Sequence, residues 1–124
     1  MAYNSMPHPR VSALISMAGG RGQVMTKSGL IGICRPDLLA DAAGRLAQTA
    51  TTPMLWIYAE NDRFFAPEIA VTLHKAFSEN GGKAELQQLA AYGSGDGHRL
   101  FFDPGGSQIW GPLVDRYLAS RPAQ

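Results

Sequence analysis

Cysteine is nearly absent: Cys34 stands alone in 124 residues, which excludes an internal disulfide framework and any cysteine-based zinc site. Charge is also scarce. Charged residues make up 17% of the chain, below the roughly 25% of an average soluble domain. Lys plus Arg (11) nearly cancel Asp plus Glu (10), leaving +1. So weak a field is not expected to hold nucleic acid or an anionic membrane surface. No apolar run approaches the about 20 residues that span a bilayer, so no membrane partner is expected. Residues 1–10 are polar and proline-rich, without the apolar stretch of a secretory signal. Cytoplasm is the default expectation, provided no signal peptide lies upstream. No metal-ligand cluster and no cofactor fingerprint is found: Gly19-Gly20-Arg21-Gly22 matches neither G-x-G-x-x-G nor a Walker loop.

What is present is a core. Hydrophobic residues reach 45%, which excludes intrinsic disorder, and the length fits one domain. After an irregular lead-in over residues 1–10, Val11–Ala18 is short, mostly apolar and stopped by Gly19-Gly20, as in a buried parallel strand. A long irregular stretch to Arg35 is expected next. Pro36-Asp37 marks a helix start, and Leu38, Leu39, Ala42 and Leu46 recur at near-helical spacing. Met54–Ala59 is the strongest strand signal, apolar, aromatic and β-branched without a turn residue. Pro67 restarts helix, with Ile69, Ala70, Leu73, Ala76 and Phe77 on one face. Ala84–Leu89 reads as a third, more polar strand near a sheet edge. The last helix carries Ile109, Leu113, Val114, Tyr117 and Leu118 on its apolar side, with Pro112 kinking it or marking its first turn. Residues 121–124 form a tail. Strands alternating with helices imply a parallel sheet with right-handed crossovers, an α/β fold.

In such sheets ligands meet the protein at the carboxyl ends of the strands. Asp62 follows the second strand and His98 follows the third, within a loop made pliable by Gly93, Gly95 and Gly97. Neighbouring strands run about 4.8 Å apart, so loops leaving their same ends can join a carboxylate to an imidazole. That pair fixes the histidine tautomer and leaves the other ring nitrogen as general base. Taken singly, Asp62 also suits a turn or cap, and His98 a plain loop histidine.

Three segments carry a resemblance: Pro53–Asp62, the Gly97-His98 pair, and Trp110–Leu118 as a closing helix. In that order they resemble the C-terminal half of a serine-type α/β-hydrolase, closest to the dienelactone-hydrolase-like branch. The strand running into Ala18-Gly19-Gly20-Arg21-Gly22 resembles the one that follows the nucleophile region there. The resemblance spans about residues 10–120 and implies a partial α/β-hydrolase fold, with about three parallel strands and the N-terminal half missing. It implies a Ser-Asp-His triad acting on an ester or lactone, with Asp62 as the acid and His98 as the base. Its nucleophile elbow, G-x-S-x-G, occurs nowhere in the 124 residues. Gly93-Ser94-Gly95-Asp96-Gly97 has the wrong spacing, and Ser5 lacks a glycine frame. The chain is therefore expected to begin downstream of the nucleophile and to be inactive alone, since losing it removes about 10⁶ in turnover.

Other residues admit plainer readings. Cys34 could replace the serine, but nothing places it near His98. His74 falls opposite the apolar helix face and reads as a solvated histidine; His8 belongs to the lead-in. In the partial fold strand 11–18 would expose a bare apolar edge, so self-association through it is expected. The alternative to a hydrolase piece is a non-catalytic self-associating scaffold.

Overall fold

The computed structural model of the protein describes residues 1, 4, 11–25, 27–29 and 31–121, without the side chain of Ile31. Along the chain come β1 (Leu14–Met17), β2 (Gln23–Met25), β3 (Ile31–Ile33), α1 (Pro36–Ala47), β4 (Met54–Ala59), α2 (Pro67–Glu79), β5 (Ala84–Leu89), a 3-10 helix (Gly97–Phe101) and α3 (Ser107–Ala119). Apart from Met1 and Asn4, the expected lead-in lies outside the described residues, as do residues 122–124 of the tail.

β4 has no turn former and no charge, and every one of its six residues is buried. It forms the centre of a three-stranded parallel sheet in the order β1-β4-β5. The register pairs Ser16 with Trp56 and Met17 with Ile57 on one side, and Trp56 with Leu86 and Ala59 with Leu89 on the other. Alternation along β4 then splits the core into two layers. Met54, Trp56 and Tyr58 face α1 and α2, where Ala43, Leu73 and Phe77 close over them. Leu55 and Ile57 face the opposite way, against Tyr117, Val114 and Trp110 of α3. Burial of Leu55, Ile57, Leu73 and Phe77, each 1% exposed or less, contributes about 1.5–3 kcal/mol per side chain. The protein is thus a small α/β domain, a parallel sheet flanked by helices on both faces. Among the described residues no helix is long and apolar enough to cross a membrane.

Several local expectations need correction. β1 covers only Leu14–Met17 and is half-buried throughout, because among the described residues it forms one edge of the sheet and has a neighbour on one side alone. Residues 19–35 are not wholly irregular: β2 and β3 pair antiparallel, Val24 opposite Gly32. Three-residue strands leave too little periodicity to read from sequence. On α1 the buried residues are Ala43, Gly44 and Ala47, and Leu38 is half-exposed. Small residues let α1 approach α2, and that contact, not the leucine stripe, sets the orientation of the helix. On α3 it is Trp110, Val114 and Tyr117 that face the sheet; Ile109 and Leu118 remain exposed. Pro112 lies inside α3, where it removes one intrahelical bond. His74 is also no solvated side chain: its Nε2 lies 2.8 Å from the Ala84 carbonyl, and its ring meets Trp56 edge-on. It ties α2 to the start of β5.

Candidate active site

All three strands run the same way, so their carboxyl ends share one rim. There the chain leaving β4 makes a tight turn in which the Asp62 N–H donates to the Ala59 carbonyl at 3.1 Å. The turn folds the Asp62 side chain inward, and it is fully buried. Its Oδ1 accepts the backbone N–H of Phe64 at 2.8 Å and of Phe65 at 2.9 Å. Oδ2 lies 2.9 Å from Nδ1 of His98. The two residues named from sequence are therefore brought into direct contact. Two N–H donors stabilise the carboxylate against burial, and the second oxygen is left to accept a hydrogen bond from the imidazole N–H. That bond assigns the Nδ1–H tautomer to a neutral His98.

Two further residues, unremarked in the sequence, hold this pair in register. Asn61 Nδ2 donates to the carbonyls of Tyr92 and Gly95, both at 3.0 Å, and its Oδ1 accepts the Tyr92 N–H at 2.8 Å. Asp96 Oδ1 accepts two backbone N–H groups at 3.0 Å, that of His98 and that of Arg63. Asp96 thereby caps the 3-10 helix that carries the histidine and also grips the residue after Asp62. A signal for it did exist: an Asp two residues before His98, at the start of a helical turn, has the form of an N-cap. Asn61 offered none, since its partners lie 31 to 34 residues away. Gly97 completes the joint. Its N–H donates to the Asn61 carbonyl at 3.0 Å, and a β-carbon there would collide with Asn61 Oδ1.

The imidazole is 18% exposed and walled by aromatic rings. The Phe64 centroid lies 4.6 Å away, Phe102 5.6 Å and Phe101 6.2 Å. Among the described residues nothing hydrogen-bonds Nε2, so this nitrogen is available to a proton on a bound group. Such an arrangement can accept a proton and return it, with the buried carboxylate stabilising the imidazolium between the two steps. Below it, burial raises the Tyr58 hydroxyl pKa well above the usual phenol value, and the Asp62 charge adds to the rise.

Elsewhere the polar candidates stay apart. Cys34 is exposed beyond β3, and the structure gives it no contact with His98. Among the described residues no group of three His, Cys, Asp or Glu side chains could hold a metal ion. The site thus consists of a carboxylate–imidazole dyad at the carboxyl edge of a parallel sheet. No family model, no curated protein and no solved structure matches the chain.

Proposed function

We propose that the chain is the C-terminal portion of a serine-type α/β-hydrolase of the dienelactone-hydrolase-like kind, acting in its complete form on an ester or lactone. One observation carries the reading: a fully buried carboxylate with one oxygen held by two backbone N–H groups and the other 2.9 Å from Nδ1 of a partly exposed imidazole. A carboxylate serving only as a turn cap would need the first oxygen alone. Asp62 orients the ring and His98 is the general base, with Nε2 directed to a serine hydroxyl and then to the leaving group. The strand order supports it, since acid and base leave adjacent strands in the order Asp then His. The nucleophile is absent from the 124 residues, so the chain by itself is inactive. The test is to read about 150 codons upstream in frame for G-x-S-x-G, express the extended chain and measure p-nitrophenyl acetate hydrolysis. Turnover abolished by His98→Ala and reduced about 10⁴-fold by Asp62→Asn is expected. Turnover by the 124-residue chain that His98→Ala removes would place a nucleophile inside it and overturn this assignment.

A second reading, a self-associating scaffold without catalysis, draws on the position of β1. Leu14, Ile15 and Met17 line an edge strand that among the described residues is paired on one side only, an open template for a second chain. It predicts a stable oligomer that tolerates substitution at Asp62 and His98. Sedimentation as a monodisperse monomer at micromolar concentration would remove it.

A further inference from the structure

Away from the dyad, a cavity of about 430 Å³ opens between α1, the exit of β1 and the α1-facing side of β4. Its volume lies within the range of small-molecule sites, about 300–1,000 Å³. Trp56 and Tyr58, each 1% exposed, line it at the sheet, and Leu39, Ala42 and Leu46 line it along α1. Together they form an apolar wall. Met1 also contributes to the lining.

The charge on the cavity is one-sided. Arg21 and Arg45 line it, and among the described residues no Asp or Glu does. Neither guanidinium takes part in any ion pair among the described residues, although Asp41 precedes Arg45 by one helical turn. The chain as a whole is close to neutral, so two unpaired cations over one apolar cavity are a local excess. Ser16 adds a hydroxyl to the same lining, and it makes no hydrogen bond among the described residues.

The backbone around Ser16 is held open. Any side chain at Gly19 would collide with Ser16 Oγ, and one at Gly20 with the Phe65 ring. Ala18 before them adopts a left-handed φ of 44°, at a cost of about 1–2 kcal/mol for a non-glycine residue. It is fixed there by its N–H to Ile57 at 2.8 Å, and the Tyr58 hydroxyl donates to the Gly19 carbonyl at 2.9 Å. Strained and pinned on two sides, this turn leads into Arg21, which lines the same cavity as Ser16.

We infer that this cavity is a binding site for a small amphipathic carboxylate: an aryl or alkyl acid whose apolar body lies on Trp56 and Leu46 and whose carboxylate meets Arg21, Arg45 and Ser16. Guanidinium forks match carboxylates in geometry as well as charge. The site is distinct from the dyad and does not depend on the hydrolase reading. Neither Asp62 nor His98 lines it, and the Phe65 ring stands between, 6.2 Å from Tyr58 and 6.3 Å from His98.

The experiment is a ¹H–¹⁵N NMR titration of the full chain with 1-naphthoate and with its neutral counterpart 1-naphthalenemethanol. Naphthoate is expected to shift the amides of Ser16 and Gly19–Arg21 and the Trp56 indole. The alcohol should bind about tenfold more weakly, the scale of one lost charge-assisted contact. Arg21→Ala combined with Arg45→Ala should weaken naphthoate about tenfold or more, with partial recovery when both are Lys. Lys75→Ala, a charge removed from a residue outside the cavity, should leave the affinity unchanged. Equal affinities for acid and alcohol, shifts confined to other residues, an unaffected double variant or no binding at all would each overturn the inference.

Discussion

The Asn61 side chain makes both backbone hydrogen bonds of Tyr92, donating to its carbonyl at 3.0 Å and accepting its N–H at 2.8 Å. One amide thus does for two loops what a neighbouring strand does for a strand. It joins the turn holding Asp62 to the loop that leads to His98. Asn61→Ala leaves the Tyr92 N–H without its acceptor, a loss of about 1–3 kcal/mol. The expected result is a lower denaturation midpoint, with the Asp62–His98 contact loosened as seen in the His98 ring resonances.

Gly97 and Gly95 offer an internal contrast. A β-carbon at Gly97 meets Asn61 Oδ1 and comes within 3.0 Å of Ala59 Cβ, whereas at Gly95 nothing lies within 4 Å. Gly97→Ala should destabilise by about 1–3 kcal/mol, the usual cost of overpacking. Gly95→Ala should be neutral or slightly stabilising through lost chain entropy. Urea titrations of both variants decide it; equal midpoints would contradict the packing described at this joint.

Asp62→Asn is expected to change a proton position more than the backbone. The amide oxygen can still accept the N–H groups of Phe64 and Phe65, but the amide nitrogen then faces His98 Nδ1 as a donor. Nδ1 must become the acceptor, which moves the ring proton to Nε2. Imidazole ¹⁵N shifts of neutral His98 should reverse their assignment between the wild-type chain and the variant, with the circular dichroism spectrum unchanged.

Tyr58 sets an alkaline limit. Burial, reinforced by the Asp62 charge, raises its pKa in the folded chain, while the unfolded phenol ionises near the ordinary value of about 10. Above that pH the unfolded state holds fewer protons than the folded one, so stability falls as pH rises. Tyr58→Phe removes this contribution together with the bond to the Gly19 carbonyl. The variant should be less stable at pH 7 and lose less stability between about pH 9 and 11, measured by urea denaturation at each pH. An unchanged pH slope would count against the buried phenol as its source.

Much of this architecture was legible in the chain. Met54–Ala59 reads as a central strand because six consecutive residues offer nothing to solvent, and Ala84–Leu89 as an edge because polar residues interrupt it. Asp62 and His98 stood out because each follows a strand at its carboxyl end, and parallel strands bring such ends to one rim. The hairpin of β2 and β3 was not legible, since three-residue strands carry too little pattern. Nor was the face of α1, where Leu38 lost to Ala43, Gly44 and Ala47 because close approach to α2 favoured small residues.

The sequence by itself therefore determined the alternation of strand and helix, the central strand and the two polar residues at its rim. These follow from hydrophobic periodicity and from local backbone preferences. Tertiary structure alone decided that Asp62 and His98 touch, that Asn61 and Asp96 lock their loops, and that Arg21 and Arg45 line one cavity. The physical reason is reach. A hydrogen bond or a collision acts over a few ångströms in space, between residues as far as 48 positions apart in the chain, and no local pattern records which distant partner will arrive.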